Sequence, residues 1–180
     1  IREPDLLLLD EPFSNLDSNI KLQIKTEIYN IIKNAGITTI LVTHDIKESF
    51  FIADKILIFK AGILQQYDEP FNIYCNPSNC YCAKALGDLN MLNINEKIYY
   101  LRPENINIVN SSKYKGVVNK CSFVGKEFQI TASFSHEKWT LFSKNYFKVG
   151  CEIFISFDNK DLIQFDPHCE NHFTYSSVLK

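Results

Sequence analysis

The stretch LLLLDEPFSNLD, Leu6 to Asp17, sets two adjacent carboxylates directly after four leucines. A run that apolar seeks burial and Asp10 and Glu11 resist it, so the acids belong where a buried element emerges. A second stretch of the same build, TTILVTHD, ends its apolar run in Thr43, His44 and Asp45. Hydrolysis of a nucleoside triphosphate asks for such groups: a ligand for the divalent metal that neutralises phosphate charge, and a base or positioning group for the attacking water. Asp10 suits the first task through the metal's water shell. Glu11 can point to the other side of the pleat, toward the water, and His44 can place a ring nitrogen near the terminal phosphate. Taken singly, each feature reads equally well as a solvated strand end or a satisfied surface histidine.

The elements that must position these groups follow from the apolar pattern. Leu6 to Leu9 and Thr38 to Val42 are continuous apolar runs and read as parallel strands buried on both faces. Between them Ile20, Ile24, Ile28, Ile31 and Ile32 recur at helical spacing, with Asp17 or Ser18 to cap the start and Gly36 to close the end in a left-handed conformation. Strand, helix, strand is a right-handed crossover unit, and ligands gather outside the carboxyl ends of its strands. A short helix is expected from Asp45 to about Ala53. KILIFKAGILQQ then reads as a hairpin turning at Ala61-Gly62, and short helical pieces around Pro70 to Tyr74 and Ser78 to Leu86 end at Gly87.

After about Asp88 the texture changes. Strands are expected at Ile98 to Leu101, Gly116 to Phe123, Glu127 to Phe134, Lys138 to Phe142 and Cys151 to Phe157, short and evenly spaced, as in a small barrel or sandwich. Two domains are therefore expected, 1–90 and 91–180, with the boundary between about residues 88 and 95. Aromatic residues of the second half, among them Phe123, Phe134, Trp139 and Tyr146, read as barrel core rather than a base-stacking surface, because no basic stripe accompanies them.

The chain has 180 residues, 46% hydrophobic and 22% charged, enough to bury a sizeable core. A net charge of -2 gives no global attraction to nucleic acid or anionic lipid. No apolar run approaches the ~20 residues of a membrane-spanning helix, and no leader peptide is legible. Cys75, Cys80 and Cys82 lack the paired knuckles of a zinc site and read as structural or incidental thiols. His168, Cys169 and His172 read as part of a polar terminus.

Together the two stretches carry a family resemblance. LLLLDEPFSNLD resembles the extended Walker B motif and D-loop of ATP-binding-cassette (ABC) ATPases, and ILVTHD resembles their switch-histidine motif, in the same order with a helix between. ADKILIFKAGILQQYDEPFNIYCNPSN is similar to the segment that follows in that family. LRPENI at Leu101 to Ile106 and FVG at Phe123 to Gly125 resemble, more loosely, the transport-associated regulatory domain of importer ATPases, though Arg102, Pro103 and Glu104 read equally as a turn. The fold so implied is α/β, the C-terminal half of a P-loop NTPase-type nucleotide-binding domain, followed by a small all-β OB-like barrel. The resemblance implies ATP and Mg2+, with Asp10 at the metal's water shell, Glu11 as general base or water-positioning group, and His44 as the gamma-phosphate switch. It also implies Asp17 at the interface of two ATPase subunits, with Ser14 and Asn15 supporting that loop. The implied partners are a second copy of the ATPase, membrane permease subunits and, indirectly, a solute-binding protein, with no nucleic acid. The implied location is the cytoplasmic face of the plasma membrane, and DEPFSNLD with the RPE-type domain resembles ferric-iron importers slightly more than polyamine, thiamine, sulfate or sugar systems.

The sequence contains no P-loop, G-x-x-x-x-G-K-[ST], whose amides cradle phosphates and whose lysine offsets their charge. Its one Gly-Lys pair, Gly125-Lys126, is followed by Glu127. The family's Q-loop and LSGGQ-type signature are also lacking, so truncation at the N-terminus is expected, leaving the hydrolytic half of a site without its phosphate-binding half. The alternatives are a non-catalytic regulatory or ligand-sensing module built on the OB-like domain, and an inactive gene remnant.

Overall fold

Five residues of near-uniform apolar character favour an extended chain, and Leu6–Asp10 (β1) pairs in parallel with Thr38–Val42 (β2), from Leu6 opposite Thr38 to Asp10 opposite Val42. The computed structural model describes residues 4–14, 16–135 and 137–165, which fall into two compact units divided between Pro77 and Ser78.

In the first unit β1 and β2 are joined by the helix Ser18–Ala35 (α1), which ends as expected at Gly36 with φ of 63°. Asp45 caps the helix Ile46–Ile52 (α2) by accepting the Lys47 amide at 2.9 Å. The hairpin Ile56–Lys60 (β3) and Ile63–Asp68 (β4) turns at Ala61 and Gly62, both with positive φ, a type I′ pattern that suits Gly and strains Ala. The helix Pro70–Cys75 (α3) follows.

Two expectations are corrected here. β1 and β2 are not buried on both faces: burial alternates along each strand, leaving Leu6, Leu8, Ile40 and Val42 exposed, Leu8 by 67%. A parallel sheet hides both faces only when layers cover both, and among the described residues this sheet has two strands. On α1, Ile20 and Ile31 face outward while Lys25 is buried, because Lys25 has an anionic partner and those isoleucines lie off the covered stripe.

The second unit opens with the helix Cys80–Ala85 (α4), capped by Asn79. Asn90–Ile94 (β5) and Lys97–Leu101 (β6) form a hairpin, and Asn107–Val109 (β7), Tyr114–Phe123 (β8), Phe128–Phe134 (β9), Glu137–Ser143 (β10) and Glu152–Ser156 (β11) form an antiparallel sheet ordered β10-β9-β8-β11-β7. Its core gathers Val118, Ile130, Trp139, Leu141, Ile153 and Ile155. Phe123 and Tyr146, expected in that core, are exposed at the sheet's end, their rings meeting Phe128 at tilted and edge-on angles. Asn90, buried in β5, substitutes for a strand neighbour: its amide donates to the Thr140 carbonyl at 2.8 Å and accepts the Thr140 N–H at 2.7 Å. α4 is tied within the second unit to the end of β6: the buried guanidinium of Arg102 donates to the Ala83 carbonyl at 3.0 Å.

Candidate active site at two strand ends

Parallel pairing brings the carboxyl ends of β1 and β2 side by side, so residues 33 apart in sequence become neighbours. The chain leaves β1 through Glu11, whose φ of 47° is uncommon for a residue with a side chain. Its amide still donates to the Val42 carbonyl at 2.9 Å, and its carbonyl accepts both the Ser14 amide at 3.2 Å and the Ser14 hydroxyl at 2.9 Å. Ser14 thus closes a turn on Glu11. This left-handed exit turns the carboxylate across to the end of β2.

There, one oxygen of Glu11 does two things. Oε1 accepts the His44 backbone N–H at 3.0 Å and lies 2.7 Å from the His44 ring Nδ1. The hydrogen bond to Glu11, and then its negative charge, raise the His44 pKa above the ordinary histidine value. With Nδ1 held by the carboxylate, protonation makes Nε2 a second donor on an imidazole ring that is 80% exposed. Both bonds use Oε1, so Oε2 is the oxygen left to face a water.

Asp10, the last residue of β1, is exposed beside this pair. No three metal-ligating side chains converge among the described residues. Mg2+ does not need such a cage, since it keeps several waters and is bound by one or two carboxylates together with substrate phosphates. One exposed carboxylate at a strand end therefore fits that ion. Asp17 stands just before α1, where its carbonyl accepts the amides of Ile20 at 3.1 Å and Lys21 at 2.8 Å. The structure thus joins Glu11 directly to His44, sets Asp10 next to Glu11 in the chain, and holds Asp17 at the far end of the same loop. Asn15, His168, Cys169 and His172 lie outside the described residues.

Gly125 and Lys126 fall in the turn between β8 and β9, away from any helix start, in keeping with their failure to match a P-loop. Arg102 and Pro103 are buried, and residues Pro103–Asn105 make a 3-10 turn.

Sequence reasoning missed the ion cluster beneath the site. Glu48 of α2, 2% exposed, meets Lys21 Nζ at 2.7 Å and Lys25 Nζ at 3.1 Å from α1, and Lys21 also reaches Asp45 at 3.2 Å. Glu48 Oε2 accepts the Thr43 hydroxyl at 2.6 Å, and Thr43 Oγ1 in turn accepts the Asp45 amide at 3.0 Å. Burial pushes the Glu48 carboxyl up, but hydrogen bonds from Lys21, Thr43 and Lys25 outweigh it and hold it below the usual carboxylate range. Lys25 also lies 5.7 Å from the centre of the Phe13 ring, which is fully buried. The available signal was Lys21 and Lys25 four apart on the helix face that also carries Ile24 and Ile28.

No protein-family model matches the chain. Among known proteins it is similar to the "Spermidine/putrescine import ATP-binding protein PotA" of Onion yellows phytoplasma, 30% identical over 90% of this chain and 45% of that protein. It is also similar to the "Fe(3+) ions import ATP-binding protein FbpC" of Fusobacterium nucleatum, 32% identical over 85% of this chain and 39% of that protein. The "Diacetylchitobiose uptake system ATP-binding protein MsiK" of Streptomyces coelicolor is 41% identical over 48% of this chain and 23% of its own length. The chain spans about half the length of the curated relatives it matches, and no described helix is long and apolar enough to cross a membrane. Over about nine-tenths of its length the chain is similar to the ATP-binding subunits of ABC importers, consistent with a part of such a subunit.

Proposed function

We propose that this chain supplies the hydrolytic half of an ATPase site that energises solute import. The observation that carries the reading is the double contact of Glu11 Oε1 with the His44 amide and ring at 3.0 and 2.7 Å. It places a carboxylate and a donor-capable imidazole within one hydrogen bond of each other at the strand ends where phosphates are met. Asp10 would hold Mg2+, which supplies charge neutralisation for the phosphates when bound. Glu11 positions or deprotonates water through Oε2, and His44, once protonated, donates from Nε2 to a terminal phosphate oxygen. Asp17 lies at the interface with a second copy of the subunit.

Phosphate binding is assigned to a segment outside these residues, because this sequence carries no P-loop. The chain alone is therefore expected to release no phosphate from Mg-ATP. Joined behind the phosphate-binding half of one of its relatives, it is expected to give magnesium-dependent release that Glu11→Gln lowers by about 10²- to 10⁴-fold, the ordinary worth of a general base. Magnesium-dependent turnover by the isolated chain, or full activity of the Glu11→Gln fusion, would overturn the assignment.

The second unit is proposed to be an OB-like regulatory domain, a reading supported by its antiparallel sheet and the loose LRPENI resemblance. Permease subunits and a solute-binding protein complete the importer, at the cytoplasmic face of the membrane. Polyamine is the favoured cargo, supported by relatives named for spermidine and putrescine that align with 90% of this chain. Ferric iron is the second reading, supported by a relative that aligns with 85%. Uptake of labelled putrescine or of ferric iron by cells with the gene disrupted separates the two.

A further inference from the structure

Two features of the first unit need a common explanation. A carboxylate with 2% exposure sits below a strand end, and the residue it holds, Thr43, is the one directly before His44. Buried ion pairs are a poor means of stabilising a fold, since desolvation offsets most of their attraction and apolar replacements often serve as well. In some proteins they instead fix one arrangement among several.

The contacts form a closed circuit. The Lys21 amide donates to the Asp17 carbonyl at 2.8 Å, so its backbone belongs to the first turn after the Glu11-to-Asp17 loop. Its side chain, with that of Lys25, holds Glu48. Glu48 accepts the Thr43 hydroxyl, Thr43 accepts the Asp45 amide, and the intervening His44 returns to Glu11 through its own amide and ring. Asp45 is fixed twice more, by Lys21 and by the Lys47 amide. Two cations and two carboxylates balance, so the cluster carries no net charge to repel or attract a nucleotide. Its reach is local, through the geometry of the Thr43-His44-Asp45 turn.

We propose that the cluster of Lys21, Lys25, Asp45 and Glu48, of which Lys25 and Glu48 are buried, is a positioning network that locks the Thr43-His44-Asp45 turn, and thereby His44, against Glu11 and ties both to the Asp17 loop. None of the four touches the reacting groups in this role; they act through Thr43 and the two backbone amides. The proposal rests on the reading of Glu11 and His44 as the site, but its test does not require hydrolysis.

The test is hydrogen exchange of the His44 and Asp45 amides in the nucleotide-free chain, compared with the amides of the β1–β2 ladder. Thr43→Val removes one hydroxyl and no charge. The triple replacement Lys21→Met, Lys25→Met and Glu48→Met removes three of the four ions and keeps the volume, leaving Asp45 partly exposed with the Lys47 amide as its partner. Both variants are expected to keep ladder protection and to speed exchange at His44 and Asp45 at least tenfold. Ladder protection retained together with unchanged exchange at those two amides in either variant would reduce the cluster to a stabilising contact and overturn the proposal. A failure of the fusion to hydrolyse ATP would instead overturn the assignment of the site and leave the exchange result standing.

Discussion

Gly116 offers a prediction in which the sign alone decides. It lies in β8 opposite Ile153, and its backbone is of a kind that alanine adopts without strain. In such a setting Gly→Ala stabilises by about 0.4–1 kcal/mol, because the unfolded chain loses freedom. Here, however, a Cβ at Gly116 would lie 2.6, 2.7 and 2.8 Å from Cε1, Cζ and Cδ1 of Phe134, against the ~3.5–4.0 Å of an ordinary carbon contact. The ring must move by about 1 Å, and it cannot move freely: it is 7% exposed and its centre is 5.0 Å from that of Trp139. Gly116→Ala is therefore expected to destabilise the second unit by about 1–3 kcal/mol, a fall in Tm of roughly 10 °C for a unit of this size. The single tryptophan of the chain, Trp139, is in that core, so its fluorescence during urea or thermal unfolding reports on this unit. Phe134→Leu in the same chain frees the space, and the pair is expected to couple favourably by at least ~0.5 kcal/mol. A Gly116→Ala protein that melts at or above the parent temperature would refute the reasoning, since it would mean the ring yields at no cost.

The His44 pKa, followed by NMR titration of its ring, is expected to lie above the ordinary histidine value and to fall in Glu11→Gln; an unchanged pKa would contradict the pairing. Because the folded-state pKa is the raised one, this pairing's contribution to stability is complete below about pH 6.5, the unfolded value, and is lost as pH rises through the folded value. Asn90→Ala leaves the Thr140 N–H and carbonyl unmatched and is expected to cost about 1–3 kcal/mol, read as a lower urea midpoint with unchanged slope.

Much of the first unit was legible because its signals are local. The four leucines before Asp10, the Gly36 stop and the Ala61-Gly62 turn each determine structure within a few residues, and each element lies where it was expected. β5 and β7 were not legible. Asn90 and Asn93 weaken the strand pattern of NMLNI, and the buried role of Asn90 depends on Thr140, 50 residues away. The three residues of β7 are too few to show alternation. The site itself was half legible: the types and order of Asp10, Glu11 and His44 pointed to phosphate chemistry, but their spacing could not say that one Glu11 oxygen grips His44 twice. Lys21, Lys25 and Glu48 were hidden because charges at helical spacing look like a solvated face until another helix covers them.

The parallel register of β1 and β2 also governs when the site comes into being. The β3–β4 hairpin closes across two residues, an event of about 1–10 μs. Parallel strands have no such shortcut: Glu11 and His44 meet only after the whole α1 crossover has folded back, with the larger loop-closure cost that slows non-local pairing. On a refolding time axis the two strand ends are thus joined after the hairpin is complete. The Glu11–His44 bond marks a late step in the first unit's assembly, and the appearance of the raised His44 pKa could serve as a clock for it.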